Sequence, residues 1–152
     1  MIPSRLYNYL AEWNCLREDT EESKKAITAL PVPPKPDFVA FFERFHGPAG
    51  GDVLGYQILD IIDDDPSVIT STQQLRERFG LPFNYLVISD LLANALLIYD
   101  CSINAVYDVD FEGGFDKLLQ NLLPPRWTSF ADFLSEYFDL QDTDSPHGRI
   151  SP

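Results

Sequence analysis

The stretch Asp37-Phe38-Val39-Ala40-Phe41-Phe42-Glu43-Arg44-Phe45 constrains the fold more than any other part of the chain. Phe38, Phe41, Phe42 and Phe45 recur at i, i+3, i+4 and i+7, which is one continuous face of a helix. A face of four phenylalanines has to be covered by other apolar elements, so the pattern predicts a core helix rather than a cofactor-stacking surface. Its flanks set its bounds. Pro31-Val32-Pro33-Pro34-Lys35-Pro36 reads as an extended connector, because proline cannot donate to a helix or a central ladder. Asp37 is placed to cap the first turn, and Gly47-Pro48-Ala49-Gly50-Gly51 stops the helix and turns the chain. His46 falls at the helix end, where an imidazolium would complement the dipole.

What covers that face can be sought on both sides of it. Residues 4–16 predict a helix with Leu6, Leu10 and Trp13 on one face. Asp19 with Glu22 resembles a capping box for a second helix, with Ala26, Ile27 and Leu30 as its apolar stripe. Val53 to Leu59 can form a strand. Ser71 with Gln74 predicts another capped helix, carrying Leu75 and Phe79 and ending at Gly80. Three strand-like runs follow, Phe83 to Ser89, Leu96 to Asp100 and Ala105 to Phe111, with connections short enough for an antiparallel meander. In the last of them Tyr107, Val109 and Phe111 share one face, and Val106, Asp108 and Asp110 the other. Phe115, Leu118, Leu119 and Leu122 mark a further helix. Ser129 caps a final one through Phe130, Phe133, Leu134, Tyr137 and Phe138. The expected architecture is α+β: an antiparallel central sheet, helices packed on one of its faces and helices at both ends of the chain. The expected organisation is one domain over residues 1–140 and a disordered tail over 141–152.

Charge gives the first functional direction. The 24 acidic and 11 basic residues leave a formal net charge of −13, which repels nucleic acid and anionic membranes and attracts basic partners. No basic residue occurs between Arg44 and Arg76, where Asp52, Asp60, Asp63, Asp64 and Asp65 fall, or between Arg78 and Lys117, where Asp90, Asp100, Asp108, Asp110, Glu112 and Asp116 fall. Solubility alone would be served by mixed charge, so a single-sign stretch suggests steering toward a cationic partner. Leu91 and Leu92 stand in the turn between two predicted strands and are candidates for an exposed apolar contact, with burial under a helix the equal alternative.

Chemistry finds little purchase. The two histidines, His46 and His147, have no nucleophile–base context, and the nucleotide-binding and hydrolase signatures are absent from the sequence. Asp63-Asp64-Asp65 runs straight into Pro66 without the alternating ligands, central glycine and closing glutamate of a calcium loop, so it reads as a solvated acidic turn. A hydrolase built on paired carboxylates, Asp64 and Asp108 among them, is the catalytic alternative. Cys15 and Cys101 have no metal-spaced neighbours and are expected as two buried free thiols, which favours a reducing compartment. The N-terminus lacks a signal-peptide core, and the longest apolar run, Ala95 to Tyr99, is too short to span a membrane. A cytoplasmic location is expected.

Pro36-Asp37-Phe38-Val39-Ala40-Phe41-Phe42-Glu43-Arg44-Phe45-His46-Gly47-Pro48 resembles the signature helix of the SUKH superfamily, aromatic-rich and ending in a polar residue and glycine. Tyr85 to Asp90, Leu96 to Asp100 and Ala105 to Asp110 resemble that family's central strands, and Thr128 to Leu134 its closing helix. The likeness runs in order from about residue 36 to 138. Two departures stand out: His46 where members often carry asparagine, and Leu91-Leu92-Ala93-Asn94 where the turn is usually polar and glycine-rich. The superfamily includes the fungal Smi/Knr cell-wall regulators and many bacterial immunity proteins encoded beside polymorphic toxins, commonly nucleases or nucleic-acid deaminases. Those immunity proteins neutralise the toxin by binding it, without catalysis.

The resemblance and the charge together imply an immunity protein that is not an enzyme, needs no cofactor or metal, and binds a basic toxin rather than nucleic acid or membrane. A scaffold or regulatory module of the same fold is the alternative. Asp63, Asp64, Asp65, Asp108, Asp110 and Glu112 are expected to supply the attraction, with Leu92 and Tyr107 as apolar anchors.

Overall fold

The computed structural model describes residues 4–18, 20–47, 53–62 and 66–139. Asp19, the Asp63-Asp64-Asp65 run and the expected tail at 141–152 lie outside the described residues. The elements are α1 (Ser4–Glu12), α2 (Glu21–Thr28), α3 (Pro36–Arg44), α4 (Val68–Phe79), β1 (Tyr85–Val87), β2 (Ala95–Asp100), β3 (Ala105–Asp110), α5 (Gly114–Leu119) and α6 (Phe130–Tyr137). The three strands form an antiparallel meander in the order β1-β2-β3, with Val87 opposite Ile98 and Ile98 opposite Tyr107.

Alternation along these strands divides the core in two. Leu86, Ile88, Leu97, Tyr99 and Val106 point to the side where α3 and α6 pack, while Tyr85, Val87, Leu96, Ile98, Tyr107 and Val109 point to the other. On that second side Leu81, Phe115 and Leu118 are buried against the strands. The sheet is thus covered on both faces, not on one as the sequence reading expects. The strand residues on the two faces are almost all apolar, and a two-sided apolar sheet cannot leave either face in water. The thicker layer is aromatic. Phe38, Phe41, Phe42 and Phe130 form one contact group with Tyr99, and the Phe38 and Tyr99 rings stack at 4.5 Å.

Several element boundaries move, each for a local reason. Lys35 holds the N-cap position of α3 in extended backbone without a side-chain cap, and Pro36 occupies the first helical position, where a missing N–H costs nothing and φ is already helical. Asp37 does not cap the helix; its carboxylate instead accepts from the Asn104 amide at 3.2 Å, tying α3 to the β2–β3 turn. Phe45 lies beyond the helix in extended backbone, yet stays fully buried and stacks on Phe41 at 4.7 Å. His46 is therefore past the helix end, exposed, with its backbone N–H donated to Cys15 O.

α4 starts earlier than Ser71. Ser67 is its N-cap, accepting from Thr70 N at 3.2 Å while the Thr70 hydroxyl accepts from Ser67 N at 2.8 Å. Threonine replaces the usual Glu or Gln of a capping box, which hides the motif in sequence. Gly80 ends α4 at φ +71, as expected. Ser129 likewise caps α6, accepting from Asp132 N.

Val53 to Leu59 is not a strand. Gly55 turns the chain at φ +89, and the buried Ile58 N–H is taken by the Tyr137 hydroxyl at 3.0 Å. What is left is a single bridge from Ile58 to Ser89 along the outside of β1. α1 ends at Glu12, with Asn14 at φ +61, so Trp13 leaves the helix and is exposed. Leu122 is also exposed, beyond the end of α5.

One polar knot holds the α1–α2 connection to the segment before α4. Arg17 and Asp60 are paired in the interior, with Arg17 Nη2 at 2.5 and 2.6 Å from the two carboxylate oxygens. Asp60 also accepts from the backbone N–H groups of Gly47 and Ile62, and Arg17 donates to Phe45 O. Glycine is required at 47: a Cβ there would overlap the buried Phe45 ring and lie 3.2 Å from Ile58 O.

Candidate functional site

The residues expected to face a partner prove to have different fates. Pleating sends Asp108 and Asp110 to the same side of β3, as expected. Both, however, are occupied by the fold. Asp108 is half-buried and accepts from the Tyr56 hydroxyl and from Arg126 Nη1, each at 2.6 Å. Burial and the adjacent Asp108 carboxylate push the Tyr56 phenol well above its ordinary range, so it stays a donor. Arg126 also lies 4.5 Å over the Trp127 ring, and Trp127 Nε1 donates to Glu136. Asp108 is thus the centre of a bracket joining the 56 loop, β3 and the start of α6.

Asp110 is exposed but committed. Its Oδ1 accepts from Gly114 N at 3.1 Å and Glu112 N at 2.9 Å, satisfying amides at the start of α5. Those two N–H groups hold its carboxyl below the ordinary carboxylate range. A group whose folded value is depressed stabilises the fold above its unfolded value and loses that contribution as pH falls toward the folded one. Asp110→Ala is accordingly expected to be less stable than wild type at neutral pH and to converge on it in acid. Urea midpoints measured across pH 2–7, which spans the ordinary and depressed carboxylate ranges, check this; a gap that does not narrow would refute it.

Tyr107 is not an anchor. It is buried on the second face of the sheet, edge-on to Tyr85 at 6.0 Å. Sequence alternation places it correctly on a face, but α5 then covers that face. Glu112 is exposed, at the end of a long contact from the Asn94 amide. Leu92 is 39% exposed and lies against Gly55, where an added Cβ would approach its Cδ2 to 2.9 Å. Asp63, Asp64 and Asp65 lie outside the described residues.

The acid of the central region is also less one-sided in space than along the chain. Arg17 folds onto Asp60, and Arg126 onto Asp108. Asp100 is buried and accepts from Asn84, Ser102 N and the Ser102 hydroxyl. The charges of Asp60 and Asp108 are offset by these arginines and add little to an external field. Beside the β1–β2 turn Asp90 is half-exposed, with Oδ1 accepting from Gln57 N and no cation paired with it among the described residues, and Glu112 is exposed.

That turn borders a groove of about 570 Å³ between α4 and the strands. Leu75, Leu96 and Phe111 line it together with Phe79, Leu91, Asp90 and Asn94. Phe79 is 51% exposed and Leu91 60%. Phe111 N donates to Asn94 O, which binds the Glu112 end of β3 to the same rim. The sequence reading names Leu91 as an exposed contact and misses Phe79, Asp90 and Phe111. Phe79 continues the stripe of α4 in sequence, and nothing in that periodicity tells that it extends past the strands it would cover.

The Arg126 guanidinium bridges Asp108 and Glu136, at 2.6 Å from the first carboxylate and 3.8 Å from the second. Both cysteines are buried free thiols, and burial, reinforced by Asp100, pushes the Cys101 thiol up to about 12, so it stays protonated. A second, polar cavity of about 460 Å³ is lined by Arg17, Glu18, Glu22 and His46, beside the Arg17–Asp60 knot. No three His, Cys, Asp or Glu side chains among the described residues are placed to share a metal ion, and none of the described helices is long and apolar enough to cross a membrane. No family model matches the chain, and no curated protein matches it in sequence.

Proposed function

We propose that this protein is a cytoplasmic immunity protein that binds a basic toxin domain, a nuclease or nucleic-acid deaminase, and neutralises it stoichiometrically without catalysis. The observation that carries this reading is an exposed apolar groove with acid on its rim, on a chain of net charge −13. An apolar surface left open beside carboxylates suits a protein partner with cationic surroundings, and the acid excess raises the encounter rate with such a partner. The motif order that resembles the SUKH superfamily supplies the biological purpose.

The test is co-expression with the product of the adjacent upstream gene. Restored growth and a co-purifying complex of one copy of each protein are expected, with an association rate that falls steeply as salt is raised. Absence of both binding and rescue would overturn the proposal.

A further inference from the structure

We infer that the groove between α4 and the β1–β2 turn is the partner-docking surface, and that its occupant is an amphipathic segment of a basic protein, with apolar anchors set between lysines or arginines. The inference rests on the binding reading above but makes its own claim about where the partner sits and what it presents.

The argument starts from the turn. Its backbone needs the left-handed region at Ala93 (φ +50) and Asn94 (φ +64). Asparagine tolerates that region, whereas alanine is strained there. Leu91 and Leu92 meet no such need, and the sequence Leu-Leu-Ala-Asn is a poor choice for making a turn. Leu92 is partly used against Gly55, while Leu91 is left 60% exposed on the groove wall. Across from it Phe79 is held by ring contacts with Phe111 and Phe115 at 6.0 and 5.7 Å, so an exposed aromatic is fixed in position. An apolar surface that is fixed in place loses little side-chain entropy when a partner arrives.

Charge selects the occupant. Among the described residues Asp90 is the one charged side chain lining the groove, and Glu112 is linked to it through Asn94. No cation lines it among the described residues. A second copy of this chain would bring the same acid against itself, so a homodimer through this face is disfavoured. A basic amphipathic segment satisfies both the apolar walls and the rim.

The probe is a leucine–lysine peptide of about 15 residues, long enough to form a helix, titrated into the isotope-labelled full chain by NMR. Expected are shifts confined to amides around Leu91, Phe79 and Phe111, and affinity that falls with salt. Leu91→Ser, a change at an exposed position, should weaken binding by roughly tenfold or more. Asp90→Asn keeps an oxygen for the Gln57 N–H that now reaches Oδ1 at 2.9 Å; combined with Glu112→Gln it should weaken binding several-fold. Shifts mapped to another surface, no shifts at all, equal binding of a serine–lysine peptide, or equal binding of a leucine–glutamate peptide would each overturn the inference. So would self-association of the wild type that Leu91→Ser abolishes. The two proposals separate cleanly: a wild-type chain that neither binds nor rescues in co-expression, yet takes the leucine–lysine peptide at this groove, defeats the immunity reading alone. A Leu91→Ser chain that still binds the toxin as tightly as wild type defeats this docking surface alone.

Discussion

Replacing Asp60 by alanine is expected to lower the free energy of unfolding by about 3–5 kcal/mol, because it strands a buried arginine whose carboxylate has gone. The Asp60 side chain is fully buried and that of Arg17 is 6% exposed, so the interaction is made with little solvent screening. The backbone N–H groups of Gly47 and Ile62 lose their acceptor in the same stroke. Urea denaturation at neutral pH measures the effect; a loss below about 1 kcal/mol would mean that the pair behaves like an exposed one. The double variant Arg17→Met/Asp60→Leu separates the two contributions. Removing both charges together should recover much of the loss, as buried pairs often can be replaced by apolar groups. It should not recover all of it, since Gly47 and Ile62 would still lack an oxygen.

The second large effect belongs to the aromatic layer. Phe130→Ala is expected to cost about 3–5 kcal/mol, from lost burial and the cavity left behind. Phe130 is fully buried and its ring meets those of Phe38, Phe41, Phe42, Tyr99 and Phe133. It joins α3, β2 and α6, so few neighbours can relax into the space without moving an element. Phe83→Ala serves as the comparison. Phe83 is exposed and mainly supports Arg76, which lies 5.1 Å from its ring, a contact of about 0.5–1 kcal/mol. Equal losses in the two variants would contradict the burial argument.

The elements that could be read from the sequence are those whose own residues suffice to define them. Phe38, Phe41 and Phe42 mark α3 by spacing alone, and Gly80 and Ser129 mark a helix end and a helix start by local chemistry. The meander of β1, β2 and β3 follows from three β-rich runs with short connections. The misread places share a different property. Val53 to Leu59 has strand-forming residues, yet a tyrosine from α6 takes the Ile58 N–H that a neighbouring strand would need. Tyr107 and Asp108 lie on the faces that alternation assigns, but what lies over each face comes from residues far along the chain.

The same distinction governs the candidate site. Composition determined that the protein carries a strong negative charge, and local pattern determined where α3, α6 and the three-strand meander lie, because both depend only on nearby residues. Which carboxylates remain available was decided by the tertiary structure. Arg17 reaches Asp60 across 43 positions and Arg126 reaches Asp108 across 18, and each contact removes from the surface an acid that looks uncommitted along the chain. The groove was decided there as well: Leu75 and Phe79 of α4 meet Leu91, Leu96 and Phe111 only after the sheet has formed. A sequence lists which groups exist, whereas burial and pairing depend on distances that the chain alone does not set.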